Sequence, residues 1–230
     1  MASQESRERL DLALQNRGHL VNSTKERLQS VATPSLRELV KEDEASFNLI
    51  VLKSEEELRQ IYTQTISLER TAVSLGKLEA NSTLLRQTLS AARGSGLKAP
   101  GVAIPFMNGA VRGLFTSIRE NSTNAELADS RFPPHIRSLS ESICQNVEVA
   151  ERMFDDLLSG KRWLVQEFLT DLIAVADDIC MHASALEPFR RENDRELDLK
   201  TQEYSAQVES WNQKINQAGD QIFHTLYLEE

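Results

Sequence analysis

The chain has 230 residues, 40 % apolar and 6 % aromatic, with nine glycines, six prolines and 35 acidic against 26 basic side chains for a net charge of -9. That length carries one large or two small domains, and so little aromatic residue, glycine and proline suits helices and not sheets. Charges of both signs are mixed along the chain without a dense basic stripe, so a nucleic-acid backbone meets net repulsion and no nucleic acid is expected as a partner.

The opening residues MASQESRERLDLALQ are charged and amphipathic. They hold no apolar signal core, and no run approaches the roughly 18 to 20 apolar residues that span a bilayer. The expected location is cytoplasmic, without membrane spans. Leu10, Leu14, Val21, Leu28 and Val31 form one stripe with Arg17 and Thr24 in its polar slots, which predicts a first helix from near Gln4 to Val31. Thr33 and Pro34 read as a helix restart, a hydroxyl cap followed by a proline whose missing N–H costs nothing in the first turn.

From Ser35 to Arg93 there is no proline and one glycine, Gly76. Phe47, Val51, Leu58, Ile61, Leu68, Ala72 and Leu75 recur on alternating steps of four and three, with Ser54 and Thr65 in the polar slots. Such a helix reaches roughly 80 to 90 Å and must pair with other helices along its length. Its end is marked by Gly94 and Gly96. The segment 94–113 holds five of the nine glycines together with Pro100 and Pro105. That density of breakers forbids a regular helix through the two prolines, so an apolar connector carrying Val102, Ile104, Phe106 and Met107 is expected. A short helix over Leu114 to Glu120 and a loose polar stretch from Asn121 to Arg131 follow.

Pro133 and Pro134 open the next helix, with Ile136, Leu139, Ile143, Val147, Ala150, Phe154 and Leu157 or Leu158 on one face until Gly160. Lys161 to Leu186 continues with Trp163 or Leu164, then Phe168, Leu172, Val175, Ile179 and Ala183. Pro188 restarts a last helix, in which Leu197, Tyr204, Val208, Trp211, Ile215, Ala218, Ile222 and Leu226 follow the steps of a coiled-coil seam. Glu187 with Arg191 supports that helix, and Glu192 with Glu196 opposes it slightly.

Chemistry-bearing patterns are sparse. Glu167, Asp171, Asp178 and His182 share a face at metal-ligand spacing, but the inward stripe beside them is Phe168, Leu172, Val175 and Ile179, so a solvated flank is expected and no metal. His19, His135, His182 and His224 are scattered, and no nucleophile elbow, phosphate loop or dinucleotide motif is present. Cys144 and Cys180 read as reduced buried thiols. The triplets at Asn22, Asn81 and Asn121 read as chance, or as Asn and Ser side chains at helix starts, and not as glycan acceptors. No enzyme activity, catalytic residue or cofactor is expected.

The run EFLTDLIAVADDICMHASAL, residues 167–186, resembles the central helix signature of GrpE-type nucleotide exchange factors. In that family a long Lys/Glu-rich helix leads into a phenylalanine, a Leu-Leu-Pro-Val core and an aspartate. Phe168, Leu172, Ile173, Val175, Asp177 and Ile179 stand in matching order, with Ala174 where the family usually has proline. Where that family has a small β domain, this chain continues with the seam of Leu197 to Leu226. The resemblance implies a helical dimer that binds the ATPase of a DnaK-type chaperone and promotes nucleotide exchange.

The expected object is all-α, an elongated helical bundle of coiled-coil hairpins with no sheet. Its expected segments are an N-terminal hairpin over 1–93, an apolar connector with a short helix over 94–131, and a C-terminal three-helix segment over 132–230. The expected role is a non-enzymatic scaffold or complex subunit that oligomerises or holds a protein partner. Phe47, Val51, Leu58, Ile61, Leu68, Tyr204, Val208, Trp211 and Ile215 carry the contact, and Ile104 and Phe106 offer a further docking or lipid-touching segment too short to span a bilayer.

Overall fold

A computed structural model describes residues 2–31, 38, 40–94, 100–123, 133–159 and 165–228. Among the described residues the chain is all-α, with six helices and no strand: α1 (Ala2–Val31), α2 (Lys41–Gly94), α3 (Pro100–Ser122), α4 (Pro134–Leu158), α5 (Val165–Ser184) and α6 (Glu187–Leu228). They fall into two compact units, one formed by Met1–Glu69 with Arg195–Glu230 and the other by Arg70–Asp194. This differs from the division at residues 93 and 131 drawn from composition, because α2 and α6 each contribute to both units.

In the first unit the seam of α2 is covered from within the chain. Leu10, Leu58, Tyr204, Val208 and Trp211 form one buried cluster, and Val21, Leu28, Val40, Phe47, Val51, Ile215, Ile222, Phe223 and Leu226 form another. Specific contacts set the directions. Arg17 reaches Ser54 and Glu55, while Leu28 shares a cluster with Phe47, so α1 runs antiparallel to α2. Tyr62 meets Tyr204, Glu57 meets Trp211 and Asp43 meets Thr225, so α6 is also antiparallel to α2. Thr24 against Gly219 and Arg27 over the Phe223 ring align α6 with α1. The result is a three-helix bundle with side chains interleaved along one axis.

Two polar slots of α1 have structural partners. Arg17 is only 7 % exposed. Its Nε donates to Ser54 Oγ at 3.2 Å, its Nη2 donates to the Val51 carbonyl at 3.2 Å, and Glu55 lies 3.6 Å away. A guanidinium with these acceptors is satisfied in one axial position of α1 on α2. Thr24 lies where α6 comes close: a Cβ added to Gly219 would stand 3.0 Å from the Thr24 methyl.

The second unit has one apolar core. Leu75, Leu78, Leu85 and Leu89 of α2 pack with Val111, Phe115 and Ile118 of α3, Ile143, Val147 and Phe154 of α4, and Phe168, Leu172, Ala176 and Ile179 of α5. Phe115 meets Phe154 edge to face, with centroids 6.1 Å apart. Ion pairs Arg112–Asp155 and Arg119–Glu151 flank that contact and make α3 antiparallel to α4. Arg86 of α2 pairs with Asp177 of α5, and Glu79 of α2 pairs with Arg190 of α6 at 2.9 Å. At the start of α6 Glu187 accepts a hydrogen bond from Arg191 and forms an ion pair with Arg190, and these contacts hold its carboxyl below the usual range.

Three expectations need correction. The segment around Pro100 and Pro105 is helical, and α3 spans 23 residues where a short helix over Leu114 to Glu120 was expected. Pro100 occupies the first helical position, where an N–H has no partner to lose, and Pro105 forfeits only the bond to the Gly101 carbonyl, with no Cβ at Gly101 to hinder local adjustment. Gly109 and Gly113 face open space, so they weaken the helix without breaking it. The long helix begins at Lys41 and not Ser35; the restart at Thr33 and Pro34 lies outside the described residues, as do Gly160, Trp163 and Leu164. Finally, Asn22, Asn81 and Asn121 all lie within helices, not at helix starts. Asn81 and Asn121 instead donate to the Ser117 hydroxyl and carbonyl at 2.8 and 2.7 Å.

This packing sets two expected outcomes. Gly76→Ala, with open space for the added methyl, should raise stability by about 0.5–1 kcal/mol, whereas Gly219→Ala should lower it and Thr24→Ser should recover the loss by removing the opposing methyl; urea unfolding of the parent and the variants measures both. Arg17→Ala should cost about 2–3 kcal/mol through lost packing and the lost hydrogen bonds to Ser54 and the Val51 carbonyl, while Arg17→Met, which keeps the volume, should stay within about 1 kcal/mol of the parent.

Candidate functional site

The residues expected to carry an interaction are placed inside the first unit. Phe47, Val51, Leu58, Tyr204, Val208, Trp211 and Ile215 are buried, and Ile61 and Leu68 are half-buried. Their covering surface comes from α1, α2 and α6 of the same chain, so this seam is an internal core. Ile104 and Phe106 lie outside the residues whose side chains are described. Trp211 anchors the packing through both ends of its character: its Nε1–H donates to Glu57 Oε2 at 3.1 Å, and the Lys214 ammonium stands 4.0 Å from its ring centroid. The Tyr204 hydroxyl is buried without a hydrogen-bond partner among the described residues. Burial pushes its pKa up to about 12, with neighbouring Tyr62 adding to the rise and Arg17 opposing it.

The opposite side of α2 is different. Leu49 and Leu52 are 52 % and 62 % exposed and line a shallow groove with Lys53, Glu55, Glu56, Arg59 and Gln60. At 100° per residue these leucines point away from Phe47, Val51, Ser54 and Leu58, so one helix has a sealed apolar side and an open one. This face leaves no long recurring stripe in the sequence, because it holds only two large apolar residues, Leu49 and Leu52.

The second unit has a cleft of about 470 Å³ between α3 and α4, lined by Ser122, Thr123, Arg137, Ser140, Glu141, Cys144 and Gln145. Ser122 Oγ donates to the Arg119 carbonyl at 3.0 Å and lies 2.9 Å from Cys144 Sγ, which leaves the thiol as donor to the hydroxyl. Ser140 Oγ and Arg137 Nε have no partner among the described residues. Cys180 is half-buried on α5, and burial raises its pKa against the lowering effect of Arg86.

Glu167, Asp171 and Asp178 are exposed and His182 is half-buried, while Phe168, Leu172 and Ile179 turn into the core. Among the described residues no group of three or more histidine, cysteine and acidic side chains is arranged to hold a metal ion, and no helix is long and apolar enough to cross a membrane. Of the residues that resemble the GrpE signature, Phe168, Leu172, Ile173 and Ile179 are buried, Val175 packs against the same core, and Asp177 pairs with Arg86. No protein-family model, curated protein or solved structure matches the chain.

The state of Tyr204 carries a pH dependence. A phenol that keeps its proton more tightly when folded contributes stability that is complete below about pH 10, its unfolded value, and is lost as pH rises toward about 12. Tyr204→Phe removes this dependence. Because the hydroxyl is unpartnered, the variant should also be about 1 kcal/mol more stable at neutral pH, read from urea midpoints at pH 8 and pH 11; a destabilised phenylalanine variant would contradict the account.

Proposed function

We propose that this chain is a non-enzymatic helical interaction protein, a scaffold or complex subunit that acts through the outward side of its long helices. The observation that supports this reading is the exposure of Leu49 and Leu52 on the side of α2 opposite the core. Two large aliphatic side chains one helical turn apart, bordered by Lys53, Glu55, Glu56 and Arg59, form an apolar centre with a charged rim, the anatomy of a helix-on-helix contact. The inner seam is already occupied by α1 and α6, so association falls to the outer face. We read the resemblance to GrpE-type factors as one of helix pattern, because the residues that carry it are committed to the core of the second unit.

The combined variant Leu49→Asp with Leu52→Asp should leave helicity and the thermal midpoint close to those of the parent, since both sites are exposed. It should lose the protein contacts that the parent chain makes when chemically cross-linked in its own cell. Cross-linked products unchanged by the double substitution would refute the reading.

A further inference from the structure

The exposed side of α2 is arranged as a palindrome. Glu42, Ala45, Leu49, Leu52, Glu56 and Arg59 follow steps of three, four, three, four and three, and all six are exposed. They fall within about 100° of arc, centred opposite the buried Phe47, Val51, Ser54 and Leu58. The stripe reads acidic, small, Leu in one direction and basic, acidic, Leu in the other, about a midpoint between Ile50 and Val51. Neither Glu42 nor Arg59 has an ion-pair partner among the described residues.

We propose that this face is a self-association surface, on which α2 of one copy lies antiparallel against α2 of a second copy about a twofold axis opposite that midpoint. The inference rests on the interaction reading above and names its partner. In this register Leu49 meets Leu52 of the second copy, Ala45 meets its Glu56 and Glu42 meets its Arg59. The twofold axis repeats each pairing, which places four leucines at the centre and an ion pair at either end. Ala45 has no bulk to oppose the stem of Glu56, whose carboxylate stays at the rim.

Alternative arrangements fail on charge. A parallel pair sets Glu42 on Glu42, Glu56 on Glu56 and Arg59 on Arg59. Sliding the antiparallel pair by one turn in one direction lays Leu49 against Glu56 and desolvates a carboxylate on an aliphatic side chain, and in the other direction sets Glu42 against Glu55 or Glu56. Flanking positions agree with the unshifted register: Lys53 comes opposite Ser46 and Asn48, Glu55 faces the same two polar neutral residues, and Lys41 comes opposite Gln60, so no like charges face one another. The contact spans 18 residues, roughly 27 Å of helix. With four leucines as its apolar centre it belongs to the small, reversible class of interfaces.

The test is sedimentation equilibrium of the full chain from low micromolar to near millimolar concentration. The parent should form a reversible dimer. Arg59→Glu and Glu42→Arg should each weaken it about tenfold, by turning attraction into repulsion at both ends. The two single variants mixed together should recover parental affinity as a heterodimer. At one end the two substituted positions then face each other with opposite charges, and at the other end the unaltered Glu42 and Arg59 pair as in the parent. Recovery by mixing reports the pairing itself, since each single variant is its own control for folding. A chain that stays monomeric throughout, or single variants that mixing fails to recover, would overturn the proposal. If the chain stays monomeric while the Leu49→Asp, Leu52→Asp variant still loses its cellular cross-links, the second copy is the wrong occupant and the interaction reading survives. Cross-links and dimer both indifferent to that variant would remove the two together.

Discussion

A guanidinium held inside an apolar bundle governs how the first unit is assembled. Apolar stripes with steps of three and four are nearly self-similar, so a helix can slide by one turn and still set one aliphatic side chain against another. Arg17 breaks that degeneracy. Its planar group finds Ser54 Oγ and the Val51 carbonyl at one position, and a slip in either direction would leave its charge facing Phe47 or Leu58. Leaving a buried charge without partners costs several kcal/mol, more than a displaced leucine contact. Thr24 against Gly219 depends on the placement of α1 that this interaction selects, while Trp211 on Glu57 and Tyr204 against Tyr62 place α6 on α2.

The second unit reaches definition by another route. Its buried polar residues, Thr71, Ser74, Ser82, Ser122, Ser140 and Asn193, are uncharged, and its ion pairs are set on the periphery, where Arg112, Arg119, Arg86 and Arg190 each join two helices. Exposed pairs contribute little stability individually, so the burden lies with shape: the edge-on packing of Phe115 and Phe154, and the small Ala150 and Ala176 that let neighbouring helices approach. The two units thus differ in how register is chosen, one by a buried charge with its acceptors and the other by side-chain size.

Much of the helical pattern was legible in the sequence because burial on one side of a helix leaves a periodic trace. The stripes from Leu10 to Leu28, from Phe47 to Leu75 and from Leu197 to Leu226 were read from spacing alone, and even the polar slots at Arg17 and Ser54 were located. Their pairing was not legible, since a seam shows that a helix is covered without showing by what. The same ignorance made Phe47, Leu58 and Trp211 look like contacts for a partner when α1, α2 and α6 close on each other. Helix α3 is hidden in the sequence by the number of its glycines and prolines; position decides, and Pro100 stands where the first turn tolerates it. The outward pair Leu49 and Leu52 left too short an apolar trace to register, although the charges around it, Glu42 through Arg59, were in plain view. The Ser122–Cys144 contact joins residues on separate helices and left no linear signal at all.

The first unit draws on both sides of the chain, and Asp43 and Thr225, which touch, are separated by 182 positions. A ribosome therefore releases all of residues 70–194, a continuous stretch with its own core, before the helix that completes the first unit has emerged. Until then the inner surfaces of α1 and α2 have only each other, and Leu58 and Phe47 are wetted on the side that α6 will cover. Non-local closure of this kind is slow and leaves greasy surface open while it waits. Nascent chains of this protein thus have a built-in interval, ending only with the arrival of Tyr204 to Leu226, during which a holding chaperone has something to grip.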